Sequence, residues 1–306
     1  MRAYLTRRLL IAVPTLLAVT VLIFVAMRVI PGDPAVLLAG DFATPETVAA
    51  LRAKWGLDRP LPVQYVVFFR NLVRGDLGAS IVSDLPVLEE IAQRFRVTLL
   101  LALSAMLVAL AIGLTGGIVA ATRAYTVWDY ASMTAALVGV STPIFWSGML
   151  LILVFAVRLG WLPSGGAGTW QGYVLPACSL GFFAAGVIAR QTRSAMLDVL
   201  RQDYVRTARA KGVAEPRVNA YHALRNALIP VVTIVGLEFG RMLGGAVLTE
   251  TVFSLPGLGS FLIISIGKRD YPVVQGIVLW IALAFVVINM LVDILYAALD
   301  PRIRYA

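Results

Sequence analysis

Residues 97–122 read VTLLLALSAMLVALAIGLTGGIVAAT and contain no charged side chain. A helix needs about 20 apolar residues to cross the hydrocarbon core of a bilayer, where backbone polar groups must bond within the segment. The rest of the chain has the same character, because 59% of its 306 residues are hydrophobic and 14% are charged. A soluble domain carries about 25% charged residues. The run therefore predicts a transmembrane helix in a polytopic membrane protein.

Five further apolar stretches predict membrane spans of similar length. The fourth span along the chain is preceded by the Gly-rich turn region 163–173, and the fifth is interrupted by Glu238 and Arg241. The first follows two arginines like a signal peptide, yet it lacks a small-residue cleavage site and is expected to be retained. We predict an all-α membrane protein with six transmembrane helices near 9–29, 98–121, 132–157, 174–193, 227–250 and 273–297.

The basic residues predict which side of the membrane each loop faces. With the N-terminus in the cytoplasm, the inner segments hold fourteen Lys and Arg residues and the short outer loops hold three. The long segment 52–96 is left out, since long translocated loops do not obey the rule. We therefore predict that both termini are cytoplasmic. The inner residues are Arg2, Arg7, Arg8, Arg123, Arg190, Arg193, Arg201, Arg206, Arg209, Lys211, Arg217, Arg225, Arg302 and Arg304; the outer ones are Arg158, Lys268 and Arg269.

This topology divides the chain into three regions. Residues 1–30 form a cytoplasmic N-terminus and the first span, and residues 31–96 form an extracytoplasmic helical insertion. Residues 97–306 form a five-helix transmembrane core with a cytoplasmic loop at 194–226. About 65 residues bury little core alone, so the second region is an insertion rather than an independent domain.

Helix signals are clear within the insertion. Residues 44–46 combine a Thr cap, a Pro at the first helical position and an acidic first turn, and this helix should end at Gly56. A second helix should occupy 62–74. A third should begin near Pro86 and continue into the second span.

Residues that carry enzymatic chemistry are scarce in this chain. His222 is the only histidine and Cys178, inside a predicted span, is the only cysteine, so neither a zinc site nor a disulfide framework is expected. No phosphate-binding G-x-x-x-x-G-K-[ST] loop occurs, because the sequence at 267–269 lacks the upstream glycine. We predict no catalytic residue, no metal site and no cofactor of its own. Any energy from ATP must then come through a separate subunit.

The most informative loop is 203–230, DYVRTARAKGVAEPRVNAYHALRNALIP, between the fourth and fifth spans. Residues 192–211 favour a helix that continues the fourth span, and Gly212 is suited to end it in the left-handed conformation. Residues 213–216 favour the start of a second short helix that runs to about Ala223. On the residues alone, the loop either binds a partner protein or is a basic loop held by anionic lipid headgroups.

This segment, DYVRTARAKG…HALRNALIP, closely resembles the EAA loop of permease subunits of ABC importers, in the form used by peptide and nickel permeases. The resemblance covers nearly the whole chain and implies the type I ABC importer permease fold. The other motifs that carry it, in order, are PGDP (31–34), GLDRPLPVQY (56–65), GGAVLTETVFSLPGLG (244–259), RDYPVVQG (269–276) and NMLVDILYAALDPRIR (289–304).

The resemblance implies that the loop is a coupling helix that docks in a groove of an ATPase subunit. The general motif begins Glu-Ala-Ala, whereas this chain has residues 206–208, RTA, so an acidic patch opposite Arg206 stays an open question. The implied contact residues are Asp203, Tyr204, Arg206, Thr207, Ala208, Lys211, Gly212, Glu215, Pro216, Arg217, His222, Arg225 and Asn226.

Five residues of the fifth span could serve the transport pathway or the packing of helices. Gly236, Gly240 and Gly244 recur every fourth residue, as in helices that approach backbone to backbone, either against a second permease or within the subunit. Glu238 and Arg241 are spaced to form an ion pair. A charge at bilayer depth costs at least about 2.5–3.5 kcal/mol, so both should face protein or water. They either line the translocation pathway, meeting the zwitterionic ends of a peptide, or form a structural pair.

The outer segment 251–272 contains a turn signal at Pro256 and Gly257. In the family that the chain resembles, this region lies at the outer mouth near the binding protein. Asp270 and Tyr271 are candidates for that role, or else they anchor the start of the sixth span, which is the interpretation that we favour for the tyrosine.

The resemblance also implies partners: a homologous second permease, two ATPase domains that bind ATP and Mg, an extracytoplasmic solute-binding protein, and membrane lipid. No nucleic acid is expected. We predict a non-catalytic permease subunit of an ABC importer for dipeptides, oligopeptides or glutathione in a bacterial cytoplasmic membrane; the stretch 159–176, LGWLPSGGAGTWQGYVLP, resembles permeases for glutathione and short peptides. Nickel chelates or oligosaccharides are alternative cargo. An ATP-independent channel or secondary carrier is the competing class.

Overall fold

The computed structural model describes residues 2–29, 31–40 and 44–299. Within them the chain is helical, as predicted, and the nearest approach to a sheet is one antiparallel bridge between Ala79 and Pro86. The α-helices are α1 (Arg2–Val29), α2 (Pro34–Ala39), α3 (Pro45–Trp55), α4 (Leu61–Val73), α5 (Val87–Thr122), α6 (Val127–Ser141), α7 (Ile144–Leu151), α8 (Val174–Leu200), α9 (Asp203–Ala210), α10 (Glu215–Arg217), α11 (Arg225–Gly245), α12 (Val247–Val252), α13 (Leu258–Gly267) and α14 (Tyr271–Leu299). Two π-helical stretches, Ile152–Arg158 and Val218–Leu224, and a 3-10 turn, Trp170–Tyr173, complete the helical segments.

Two compact units make up the chain. The first unit contains Met1–Thr98 and Pro256–Val286, and the second unit contains Leu99–Leu255 and Val287–Ala306. Two of the three divisions fall inside α5 and α14, so each of these two long helices contributes to both units.

Five helical segments are long and apolar enough to cross a membrane. They correspond to the first, second, fourth, fifth and sixth predicted spans. Their bounds are Leu10–Val29, Val87–Thr122, Trp170–Leu200, Glu215–Gly244 and Tyr271–Val292. The hydropathy of the chain therefore located these spans correctly.

The third predicted span, 132–157, is not one straight helix. It consists of two helical segments, Val127–Ser141 and Ile144–Arg158, which meet at an angle of 102°. The break lies at Thr142, whose extended backbone (φ −84°, ψ 126°) precedes Pro143. A proline disfavours helical geometry in the residue before it, which explains why the apolar run bends here.

The helices of the insertion belong to the first unit and begin and end close to the predicted positions. The Thr44 hydroxyl accepts a hydrogen bond from the backbone N–H of Thr47 at 3.3 Å, and α3 ends at Gly56 in the left-handed conformation. Helix α4 covers Leu61–Val73, and α5 starts at Val87. Local capping signals were sufficient to locate these elements.

The core of the first unit joins α5 to two consecutive helices, α13 and α14, that lie much later in the sequence. Val87 and Ile91 of α5, Leu258 of α13, and Val273 and Ile277 of α14 form one buried cluster. The outer segment 251–272 is therefore more ordered than the turn that the sequence predicted. Helix α13 follows that turn directly and buries Leu258, whereas its Ile263 and Ile264 are exposed.

Helix α8 is the centre of the second unit and packs against α6, α7 and α11. Its contact with α6 is very close at Gly186, where an added Cβ atom would lie 2.4 Å from the carbonyl oxygen of Ala136. Small residues of this kind let two helix backbones approach each other, which is the usual way in which membrane helices gain packing contacts.

Candidate functional site

The segment that the resemblance assigned to ATPase coupling forms a compact structure, which we call the coupling knob (residues 203–226). The predicted continuous helix 192–211 is wrong, because α8 ends at Leu200 and a new helix, α9, starts at Asp203. The break lets α9 turn so that its apolar face is buried. The second helix is also longer than predicted: it does not end near Ala223 but continues through a π-helical stretch into α11.

Three buried side chains hold the coupling knob together. Val205 and Ala208 of α9 pack against Val218, and the partly buried Leu200 and Val213 surround them. Ala208 is only 7% exposed, so its side chain is not available to a partner protein, contrary to the role implied by the resemblance. Its small size instead lets α9 lie close to the following helix.

The turn between the two helices is made at Gly212. This residue has φ +77°, in the region that favours glycine, as the sequence predicted. Its N–H donates to the carbonyl oxygen of Arg209 at 2.9 Å, and the N–H of Val213 donates to that of Ala208 at 3.2 Å. The chain thereby reverses within a few residues.

Polar contacts across this turn were not evident from the sequence. The Arg209 guanidinium donates to both carboxylate oxygens of Glu215, at 2.7 and 3.3 Å. On the other side, the Asn226 amide donates to the hydroxyl of Tyr204 at 3.1 Å and to the carbonyl oxygen of His222 at 3.0 Å. Arg209 was missed as a site residue because it meets its partner across a turn and not along one helix face.

The outer surface of the knob is polar, basic and aromatic. Arg206, weakly paired with Asp203 at 3.4 Å, is exposed, and so is the ring of Tyr221, which the sequence analysis had not singled out. His222 is half-buried. The predicted contact residues that are exposed are Asp203, Tyr204, Arg206, Thr207, Lys211, Gly212, Glu215, Pro216, Arg217, Arg225 and Asn226.

A buried ion pair fixes the end of α8 that leads into the knob. The Arg193 guanidinium donates to both carboxylate oxygens of Asp129 at 2.6 and 2.7 Å, and the Asp129 carboxylate also accepts from the backbone N–H of Tyr125. The Asp129 side chain is 2% exposed. A lone carboxylate in an apolar helix was the signal that could have revealed this contact, which ties α6 to α8.

The two charged residues of the fifth predicted span form the ion pair that their spacing indicated. The Arg241 guanidinium donates to a Glu238 carboxylate oxygen at 2.9 Å. Their environments differ, since the Glu238 side chain is 6% exposed and that of Arg241 is 64% exposed. The carboxylate is thus held inside the second unit, while the guanidinium faces outward from the chain.

The three glycines of the same helix have different surroundings. At Gly236 an added Cβ would lie 2.0 Å from a methyl carbon of Val292, so α11 and α14 pack closely within the chain there. Gly240 is buried, whereas Gly244 is exposed. Packing within the subunit explains the first position. A contact with a second permease stays a prediction for Gly244.

Two of the outer candidates are buried in the first unit. The Asp270 carboxylate is buried and accepts hydrogen bonds from the hydroxyl of Ser80 and from the N–H of Ile81 at 3.1 Å. Tyr271 is buried in a cluster with Met27 and Val274. Neither side chain is available to a binding protein, because the carboxylate fixes the turn before α5 and the ring fills the core.

The other two outer candidates lie at the junction before α13. Pro256 is exposed, and Gly257 is buried with an extended backbone that precedes the first turn of the helix. Of the four outer candidates, the proline alone presents its side chain at the surface. Among the residues that the structure describes, no group of three His, Cys, Asp or Glu side chains is arranged to hold a metal ion.

Comparison with known sequences places this arrangement in a family. A sequence model for the binding-protein-dependent transport system inner membrane component matches residues 113–305, and one for the N-terminal part of such membrane components matches residues 1–102. The chain belongs to this family. It is therefore a multi-pass permease subunit of the inner membrane, as the sequence predicted.

Curated relatives of this transport family align with the chain from end to end. The glutathione transport system permease protein GsiC of Escherichia coli (strain K12) is 50% identical over 302 residues, which is 99% of each chain. The protein of the same name from Salmonella typhi has the same identity and coverage. The agreement therefore includes residues 31–96 as well as the apolar helices that follow them.

Solved structures show the same permease fold. An inward-facing MetNI methionine ABC transporter matches with a TM-score of 0.59 and 19% identity, over 70% of this chain and 97% of that chain. An amino acid ABC transporter crystallised with histidines matches with a TM-score of 0.52 and 17% identity, over 70% and 94%. These likenesses confirm the predicted fold class.

Proposed function

We propose that this chain is the permease subunit of an ATP-driven importer of small peptides, with glutathione or a peptide of similar size as cargo. The observation that carries the proposal is the 50% identity to glutathione transport permeases over 99% of both chains. Identity over the full length includes every segment that could meet the cargo. The proposal therefore extends beyond the general role of the family.

The subunit acts without catalytic residues of its own. ATP and Mg bind to two partner ATPase domains, a homologous second permease completes the pathway, and an extracytoplasmic binding protein delivers the peptide. Membrane lipid surrounds the apolar helices. Closure of the ATPase domains on ATP draws the paired knobs together and turns an inward-open pathway outward.

The geometry of the coupling knob supports this role. A packed core around Val218 and the Arg209–Glu215 bridge make the knob a rigid body, and rigid bodies transmit displacement to the helices that continue from them. Exposed Tyr204 and Tyr221 next to basic residues are of the types that contribute most to protein interfaces. The knob transmits force and does not meet the cargo.

Reconstitution tests the proposal directly. The complete complex, copurified with its partner subunits and placed in liposomes, should take up labelled glutathione only when the binding protein and ATP are present. Unlabelled dipeptides, a nickel chelate and an oligosaccharide serve as competitors that distinguish the cargo classes. Uptake without ATP would favour a channel or carrier, and competition by the chelate or the oligosaccharide but not by peptides would refute the peptide assignment.

A further inference from the structure

The first unit contains a polar cavity that none of the roles described above uses. It has a volume of about 320 Å³. Helices α3 and α4, the end of α1 and the start of α14 surround it. Its polar lining consists of Arg28, Lys54, Arg59, Gln64, Asn71, Asp76 and Gln275.

The lining of this cavity carries a net positive charge. Its cationic side chains are Arg28, Lys54 and Arg59, and its single carboxylate is that of Asp76. Lys54 already pairs with the Asp84 carboxylate at 3.2 Å, so the two arginines are the cations left for a ligand. Asp76 is already engaged, because one of its oxygens accepts a hydrogen bond from the backbone N–H of Gly78 at 2.8 Å. The cavity therefore has an excess of cationic groups that favours an anion.

Arg28 presents donors that have no anionic partner in the part of the chain that the structure describes. Its guanidinium donates to the amide oxygen of Gln64 at 2.9 and 3.1 Å and to the carbonyl oxygen of Phe24 at 3.1 Å. These acceptors are neutral, and two of the five N–H groups are left over. The guanidinium also lies 3.4 Å from the centre of the Phe24 ring, which holds it in place.

A second polar residue beside the cavity has an unsatisfied group. Gln275 is 4% exposed, and its buried side-chain nitrogen has no hydrogen-bond partner in the structure. A buried donor without an acceptor costs about 1–3 kcal/mol. Gln275 is one of the residues that line the cavity, although its side-chain nitrogen is enclosed by protein.

The position of the cavity indicates which anion it meets. Arg28 lies in the last turn of the first membrane span, and Gln275 lies in the first turns of the last one. The charge distribution assigns both of these helix ends to the outer face. At that depth the phosphate groups of lipid headgroups are the most abundant anions, and arginine binds phosphate well because its planar fork offers paired donors.

We propose that this cavity binds a phosphate group at the outer membrane surface, held by Arg28 and Arg59. The phosphate belongs to the headgroup of an anionic lipid or to a soluble phosphate compound, and both sources offer the same oxygens to these donors. Apolar side chains of Trp55, Phe68 and Pro272 complete the lining and suit the carbon atoms next to a lipid phosphate. The proposal does not depend on the identity of the cargo.

Thermal unfolding of the purified complex in neutral detergent tests the proposal. Dihexanoyl phosphatidylglycerol should raise the melting temperature in a saturable manner, by about 2–5 °C at saturation. Dihexanoylglycerol has the same acyl chains without phosphate and should have no such effect. Inorganic phosphate distinguishes the sources: an equal rise identifies a soluble anion, and a rise with the lipid alone identifies a headgroup.

One variant and two controls make the test specific. Arg59→Gln removes an exposed cation and should weaken the affinity for the lipid about tenfold. Gln275→Met removes the unpartnered donor, so it should raise the stability without lipid and leave the affinity for the lipid close to that of the unaltered protein. Arg74→Gln removes an exposed charge from the end of α4, outside the cavity, and should bind like the unaltered protein. Equal shifts in all variants, an equal shift with dihexanoylglycerol, or no shift with any phosphate compound would overturn the proposal.

Discussion

Gly212 shows how one residue can determine the form of a functional loop. Its φ of +77° lies where a side chain is disfavoured, yet no atom lies within 4 Å of the position that a Cβ would take. Steric conflict with neighbours is therefore absent, and the cost of a substitution arises from the backbone alone. A substitution at Gly212 therefore measures the cost of the left-handed backbone without a contribution from steric conflict.

Gly212→Ala should destabilise the coupling knob by about 1–2 kcal/mol, because L-residues are strained in the left-handed region. Proteolysis of the knob, or amide exchange of residues 203–217, would report the loss. Gly267→Ala is the matched control: its surroundings are equally open, but its backbone is helical and has no positive φ. Equal behaviour of the two variants would show that the turn at Gly212 is not conformationally required.

The left-handed turn at Gly212 and the cap at Thr44 were predictable, because both depend on residues within a few positions of each other. The burial of Ala208 was not predictable in this way. Its environment depends on Val218, which approaches only after the chain has turned at Gly212. The sequence near Gly212 therefore located the turn, but it did not show which side of α9 is buried.

At the level of whole helices, the Asp129–Arg193 pair joins α6 to α8. Breaking one side of a buried ion pair costs about 3–5 kcal/mol, because the other charge is left without a partner. The Arg193 side chain is about one quarter exposed and can contact water. The loss of stability on removing its partner should therefore be smaller here.

Asp129→Asn should lower the stability of the complex by about 2 kcal/mol, measured by thermal unfolding in detergent. Asp203→Asn is the control, since Asp203 and Arg206 form an exposed pair for which less than about 1 kcal/mol is expected. A double variant, Asp129→Asn with Arg193→Met, should be less destabilised than the sum of the single changes. Additive effects would contradict a direct interaction between the two side chains.

The bend in the third predicted span shows the limit of hydropathy. A run of apolar residues indicates that a segment prefers the membrane. It does not indicate whether the helix stays straight within that segment. Pro143 and the extended Thr142 change that direction by 102°. The proline was visible in the sequence, whereas the size of the bend depends on how α6 and α7 pack against α8.

At the scale of the whole molecule, Arg241 is a charged residue whose surroundings depend on the assembled transporter. Its guanidinium is largely exposed in this chain although it lies in a membrane span. Such a charge must face water or another protein, since lipid would not solvate it. The translocation pathway and the interface with a second permease both satisfy this condition.

The pathway hypothesis predicts that Arg241→Met lowers peptide uptake at least about tenfold, because it removes a charge-assisted hydrogen bond to a peptide carboxylate. Glu238→Gln should lower uptake as well. Copurification of all subunits from the same preparations would show that assembly is intact. Unchanged uptake with intact assembly would contradict the pathway hypothesis and leave a structural ion pair.

Membrane class, the position of five spans and the local turns could all be read from the amino-acid order. These properties depend on sums of side-chain transfer energies along the chain or on neighbouring residues, so no knowledge of distant contacts is needed. The resemblance to ABC permeases added the family and its partners.

Other properties arose only when distant segments came together. Asp270, a candidate either for the outer mouth or for anchoring the sixth span, is buried against Ser80. Arg209 pairs with Glu215 across a turn, and the cavity brings together Arg28 and Gln275 from distant parts of the chain. In each case the environment of a polar group is set by packing between helices. Hydropathy and spacing describe one helix at a time, so they do not contain this information.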